Sequence, residues 1–148
     1  STLLRAGGNY PISNIDIYSN LENKFRFYNK DSFEEATNKS KLLVHTINST
    51  TMLEGLMSNI PSIIILNKKT NPFRKNSEQF MKDLVAAKIL HFNPIIAAKF
   101  VEKIWVEDNV NIWWYSKRTQ KTLKKFNYRF AKLNANIVNE LKSVLIKN

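Results

Sequence analysis

Between residues 44 and 65 the chain reads VHTINSTTMLEGLMSNIPSIII, and its chemistry is concentrated in the middle of that run. Asn48, Ser49, Thr50 and Thr51 are four consecutive small side chains that donate and accept hydrogen bonds. Glu54 follows them, and His45 precedes them at the end of an apolar segment. A polar cluster at a helix start does one of two things. Its hydroxyls cap the helix, or they join the free backbone amides and the positive end of the helix dipole to hold a phosphate. Thr51-Met-Leu-Glu54 fits a capping box, which is the commoner role for Glu54; accepting hydrogen bonds from ribose hydroxyls is the other. His45 closes a strand, where a histidine serves more often as a core residue than as a ligand contact.

Other chemistries find less support. Neither glycine-rich phosphate fingerprint is present, and Gly7-Gly8 is the only glycine pair. The chain has no cysteine, which excludes disulfides, Cys-ligated zinc and thiol catalysis. His91 lacks a partner at metal-ligand spacing, so no metal site is expected. The acidic residues show no pairing that suits a general acid and base, and the catalytic base is expected outside this chain.

The elements that would position the cluster follow from periodicity. KLLVHT at 41–46 and PSIIIL at 61–66 read as strands buried on both faces of a parallel sheet. The helix between them should begin at the capping box and run to about Asn59, stopping before Pro61. The result is a βαβ unit, expected to cross over right-handedly, with its polar loop at the carboxyl end of the sheet, where open α/β folds bind ligands. KFRFYN at 24–29 reads as a strand, and Asp31-Ser32 as the cap of a short helix. A helix is expected from about Ser77 to Lys88, ILHF as a short edge strand, and Asn93-Pro94 as the start of a helix presenting Ala97, Phe100, Val101, Ile104 and Trp105. From Ser116 the apolar positions Leu123, Phe126, Phe130, Leu133, Ile137, Leu141 and Leu145 step by three and four, giving one long amphipathic helix or two consecutive ones.

The expected fold class is α/β: a Rossmann-like three-layer domain with a parallel sheet over 1–115, and a basic amphipathic helical tail over 116–148 packed on it as one structural unit. The opening STLLRAGG resembles the tail of a strand entering a loop. It suggests a piece of a longer protein with a further N-terminal domain.

Of the net charge of +11, most belongs to residues 117–148, which hold nine Lys/Arg against one Glu. Such a face attracts anionic lipid, nucleic acid or a charged substrate, although a chain this rich in Lys, Asn and Ile also fits an AT-rich genome. Trp105, Trp113 and Trp114 with Tyr115 form an aromatic group. It either packs the tail or, with the basic helix, makes a nucleic-acid-binding module by base stacking; packing is the expected role. No apolar window is long enough for a membrane span and no signal-peptide pattern opens the chain, so the cytoplasm is the default expectation.

Taken together, VHTINSTTMLEGLMSNIPSIII, AAKIL and NPIIAAKFVEKIWVEDNVNIWW resemble a bacterial family of transferases encoded among O-antigen and surface-polysaccharide genes. The similarity spans 41 to about 130. The shared features are an Asn-(Ser/Ala)-Thr-Thr-x-Leu-Glu block, an Asn-Ile-Pro before a strand, an Ile-Trp and a paired Trp. They fall on Asn48 to Glu54, Asn59 to Pro61, Ile104-Trp105 and Trp113-Trp114. The resemblance implies a GT-B-like glycosyltransferase, distantly similar to capsule-type sugar transferases, with this chain as its C-terminal nucleotide-sugar-binding half. It implies Ser49, Thr50 and Thr51 as phosphate contacts, with Glu54 behind them. The nucleotide-sugar would be a substrate and no cofactor would be needed. The enzyme would work in the cytoplasm at the inner membrane face, with its missing N-terminal domain and an anionic membrane surface as partners. Nucleic acid is not the expected partner. Ile47 stands where members often have Tyr, and the His-Pro pair of some CMP-sugar transferases is absent from this chain, so the nucleotide stays open.

Overall fold

A computed structural model describes residues 2–4, 25–27 and 33–131, with residues 2–4, 25–27 and Phe33 described by their backbone alone. The chain divides into two compact units, Ser1–Lys39 and Ser40–Asn148. In the first, strands β1 (Thr2–Leu4) and β2 (Phe25–Phe27) pair in parallel, with Thr2 opposite Phe25. Helix α1 (Phe33–Asn38) carries Glu34 and Glu35 in its first turn, where the helix dipole favours negative charge. The expected Asp31-Ser32 cap lies outside the described residues.

The second unit holds a parallel sheet of β3 (Leu43–His45), β4 (Ser62–Ile65) and β5 (Leu90–His91) in that spatial order. Helix α2 (Thr50–Met57) connects β3 to β4, and α3 (Glu78–Ala86), entered through a 3₁₀ turn at Lys75–Ser77, connects β4 to β5. Three helices follow: α4 (Pro94–Val106), α5 (Val110–Trp114) and α6 (Lys117–Phe130). The described part of the chain is thus α/β with a small parallel sheet and six helices, the Rossmann-like class expected from the strand and helix alternation.

The core follows from the pleat of β4. Ser62, Ile63 and Ile64 are all buried, as a central strand requires. Ile64 joins a cluster with Met52 and Leu56 of α2, Leu84 of α3, Trp114 of α5, and Leu123 and Phe126 of α6. Ile63 points to the other face. There α4 packs on β4 and β5, burying Ala97 and Ile104. Each fully buried Leu or Ile of this kind contributes about 1.5–3 kcal/mol relative to exposure.

One expectation is corrected. β3 is not buried on both faces: Val44 is 53% exposed, because β3 is an edge strand among the described residues and pairs only with β4. The stop of α2 before Pro61 is as expected, and it is made by a turn that recurs in two other helices. In α2, α3 and α4 the chain turns through a residue with positive φ, namely Asn59 (55°), Lys88 (62°) and Asp108 (52°). Each time the two residues beyond the cap donate back into the last turn. Asn59 and Ile60 donate to Leu56 and Gly55, Lys88 and Ile89 to Val85 and Leu84, Asp108 and Asn109 to Trp105 and Ile104. This is the Schellman pattern, made here by non-glycine residues.

From the Ser116 cap the described residues form one helix, α6. The amphipathic α6 packs against α2 and α3, and Lys132, Leu133, Ile137, Leu141 and Leu145 lie outside the described residues.

Candidate functional site

The polar cluster follows β3 at the carboxyl end of the sheet, as expected. The cap, however, is Ser49 rather than Thr51. The Ser49 hydroxyl accepts from the Met52 amide at 3.4 Å, and the Ser49 and Thr51 hydroxyls lie 2.8 Å apart. With the helix starting at Thr50, Glu54 sits beyond the third helical position and no capping box forms. Its carboxylate is exposed and has no hydrogen-bond partner among the described residues. Thr51 is no longer needed as the cap. The backbone amides of Thr50 and Thr51 find no acceptor among the described residues. Helix α4 is different at its start: Asn93 Oδ1 accepts from the Ile95 and Ile96 amides at 2.9 and 3.1 Å, and Pro94 has no amide to satisfy.

His45 turns into the fold. An added Cβ on Gly55 would meet its Nε2 at 3.2 Å and Leu43 Cδ1 at 3.1 Å, so the glycine lets α2 lie close over β3. The Nε2 atom is buried without a partner among the described residues, and burial pushes the imidazole below its ordinary 6.5. His91 is likewise held below 6.5 by burial, opposed in part by a 2.9 Å hydrogen bond between its Nε2 and the Lys88 carbonyl.

Beside the loop lies a pocket of about 330 Å³, at the small end of the range for small-molecule sites. Its floor is Ile64, Leu66 and Leu90 from the carboxyl ends of β4 and β5. Its walls are Met52 and Leu53 from the first turn of α2, Phe73 and Met81 around the entry to α3, and Phe126 and Phe130 of α6. Phe130 meets Phe80 edge-on at 5.1 Å and Phe126 at 4.8 Å, which fixes that wall. The polar lining is Asn48, Arg74 and Ser77. The Ser77 hydroxyl is committed to the Arg74 carbonyl at 2.7 Å, whereas the Arg74 guanidinium has no ion pair among the described residues. Of the six residues singled out by sequence, Asn48 alone lines this pocket. Ser49, Thr50 and Thr51 stand beside it on the loop and first turn, Glu54 is on the exposed side of α2, and His45 is beneath the helix.

Arg74 was hidden in the polar run NKKTNPFRKN. No local pattern separates one cation there from its neighbours, and only the folding of the loop brings it to the sheet's end. The described residues hold no group of His, Asp or Glu suited to a metal.

The paired tryptophans serve the fold. Trp114 is fully buried, and its indole N–H donates to both the carbonyl and the Oδ1 of Asn59 at 2.9 Å. Gln120 donates to Asn59 Oδ1 at 3.0 Å and to the Trp114 carbonyl at 2.9 Å, and Asn127 donates to the Leu56 carbonyl at 3.0 Å. Trp113 donates to the Ala87 carbonyl at 2.9 Å and meets Phe100 edge-on. The pair therefore closes the C-terminal ends of α2 and α3 and is not free to stack on bases. Trp105 stands apart, half-exposed under the Lys41 ammonium, which also pairs with Asp108.

No curated protein and no solved structure matches this chain significantly. The family model described as the LIC12162 family transferase matches residues 11–145, nearly the whole chain, and the protein belongs to that family of transferases.

Proposed function

We propose that the chain is the donor-binding half of a GT-B-like glycosyltransferase of cell-surface polysaccharide synthesis, with a nucleotide-sugar as its substrate. The observation that carries this reading is the juxtaposition at the sheet's carboxyl end. An apolar pocket, with a guanidinium that has no ion pair among the described residues, opens beside a helix N-terminus whose first amides find no acceptor among them. The Thr50 and Thr51 amides, with the Ser49, Thr50 and Thr51 hydroxyls, hold the diphosphate, and Asn48 bridges the loop to the pocket. Arg74 supplies the full positive charge that a short helix lacks, in a geometry suited to phosphate. The apolar walls receive the base, and Glu54 accepts from ribose hydroxyls.

Sugar transfer breaks the bond between the anomeric carbon and the diphosphate, so negative charge grows on the departing nucleotide. A fixed cation and oriented amides at that position stabilise the transition state more than the ground state. The acceptor and the catalytic base come from a second Rossmann-like half.

An amide-resolved NMR titration with CMP, UDP, GDP and pyrophosphate tests this. One nucleotide is expected to shift the amides of residues 46–54 and of Arg74, and Thr50→Ala/Thr51→Ala to abolish the shifts. Absence of any shift there, with an oligonucleotide perturbing residues 113–130 instead, replaces the transferase-donor reading with the nucleic-acid one.

A further inference from the structure

Helix α6 buries Thr119, Leu123 and Phe126, sends Gln120 and Asn127 to the end of α2 and Phe130 to the pocket, and turns its opposite side outward. On that outer side stand Lys117, Arg118, Lys121, Lys124, Lys125 and Arg129, all exposed, and the helix contains no acidic residue. Lys125 is paired with Asp83 of α3 at 2.6 Å; the other five form no ion pair among the described residues. Lys117, Lys121, Lys124 and Tyr128 step by four, three and four, so they form one stripe along a helix about 21 Å long.

This charge works against the helix that carries it. Cations at three- and four-residue spacing repel one another, and Lys117 and Arg118 occupy the first turn, where the dipole disfavours positive charge. Helix α1 carries two glutamates in its first turn instead. A surface selected only for solubility would intersperse both signs.

We infer that the outer face of α6 is a docking surface for an anionic lipid bilayer. The stripe is a convex ridge, complementary to a broad negative surface. Lysine predominates on it, and lysine acts as a point charge suited to a diffuse potential, whereas arginine is the better reader of individual phosphates. Tyr128, 72% exposed, sits among lysine stems and Phe80 around a shallow groove, giving the face an apolar-bodied, polar-tipped residue of the sort that settles at a lipid interface. Single-stranded nucleic acid would need a row of stacking platforms, and the paired tryptophans are committed to the fold.

The test is co-sedimentation of the whole chain with phosphatidylcholine vesicles, with and without phosphatidylglycerol. Lys117→Gln/Lys121→Gln/Lys124→Gln is compared with a charge-matched control, Lys69→Gln/Lys99→Gln/Lys103→Gln, on other exposed surfaces. Binding is expected only to the anionic vesicles. It should fall by about fivefold per α6 lysine removed, roughly a hundredfold for the triple variant, and far less for the control. Equal losses in the two variants overturn the docking face in favour of undirected net charge, and so does failure of the unaltered chain to bind anionic vesicles. If an oligonucleotide displaces the vesicles at equal phosphate and its own binding is lost in the α6 variant, the face belongs to nucleic acid. None of these outcomes depends on whether a nucleotide binds at the β3–α2 loop.

Discussion

The two ends of helix α2 are built on opposite plans. At the C-terminal end every available device is used. Asn59 takes the left-handed conformation, two backbone bonds close the last turn, and Trp114, Gln120 and Asn127 reach in from α5 and α6 to bind the carbonyls and the Asn59 amide. At the N-terminal end one long hydrogen bond from the Met52 amide to Ser49 is the only side-chain cap among the described residues, and the Thr50 and Thr51 amides before it find no acceptor there. A helix held firmly at one end can present the other end as a fixed electrostatic feature without needing partners there. The contacts that hold the fold are therefore gathered at one end of an eight-residue helix, and the proposed donor site lies at the other.

The largest effect should come from breaking the closed end. Trp114→Ala empties a fully buried site and removes the indole donor to the Asn59 carbonyl and Oδ1, so we expect a loss of about 3–5 kcal/mol by urea unfolding, enough to unfold a marginal domain. Trp114→Phe keeps most of the volume and loses the indole N–H, and should cost clearly less. If the two variants cost the same, the hydrogen bonds to Asn59 carry the closure rather than the packing.

Asn59 sharpens this further. Asn59→Ala puts a Cβ-bearing residue without a polar side chain at φ 55° and leaves the Gln120 donor short of an acceptor, for about 2–4 kcal/mol. Asn59→Gly relieves the backbone while still removing Oδ1, and should recover about 1 kcal/mol of that loss. Equal destabilisation would mean that the side-chain network, and not the left-handed turn, selects asparagine.

These closures also explain what was legible in the sequence. The β4 run, the Asn93-Pro94 cap and the α2 region were readable because each depends on neighbours in the chain. The stops near Asn59 and Lys88 were readable too, but the left-handed turns that make them were not, since neither residue is glycine and both turns are held by contacts made elsewhere. Trp114 and Gln120 hold the first, while the Trp113 indole bonds to Ala87 just before the second. The same holds for the site. The Ser/Thr loop announces itself locally, while Arg74 and the phenylalanines of the pocket meet it only through the sheet and α6. The two-position slip in the cap, from Thr51 to Ser49, came from reading Glu54 as a capping partner when the helix had already begun.

At the open end the expected stability effects are smaller. Ser49→Ala removes the sole side-chain cap and should cost about 1 kcal/mol. Thr50→Ala/Thr51→Ala removes no contact with the helix backbone and should stay within about 0.5 kcal/mol while abolishing nucleotide shifts. If the double variant destabilises as much as Ser49→Ala, the threonines are caps after all and the contrast between the two ends disappears.

The smallest effect concerns the face of α2 that rests on β3. His45 Nε2 is buried beside Gly55 without a partner among the described residues, and its pKa in the folded chain lies below the ordinary 6.5 because burial disfavours the imidazolium. Above 6.5 the ring is neutral in both the folded and unfolded chain and titration adds nothing. As the pH falls below 6.5 the unfolded state takes up the proton first, so stability declines until the folded pKa is passed. His91 has the same sign, moderated by its bond to Lys88, so two residues share the slope. His45→Leu removes one of them together with the orphaned nitrogen. Its stability near pH 8 should equal or exceed that of the parent, and its loss between pH 7 and pH 5 should be shallower. A slope unchanged by His45→Leu and flattened by His91→Leu would move the acid sensitivity from the α2–β3 contact to the end of β5. The open end of α2 would then keep its geometry across that range, and nucleotide binding at the loop would show no pH dependence from His45.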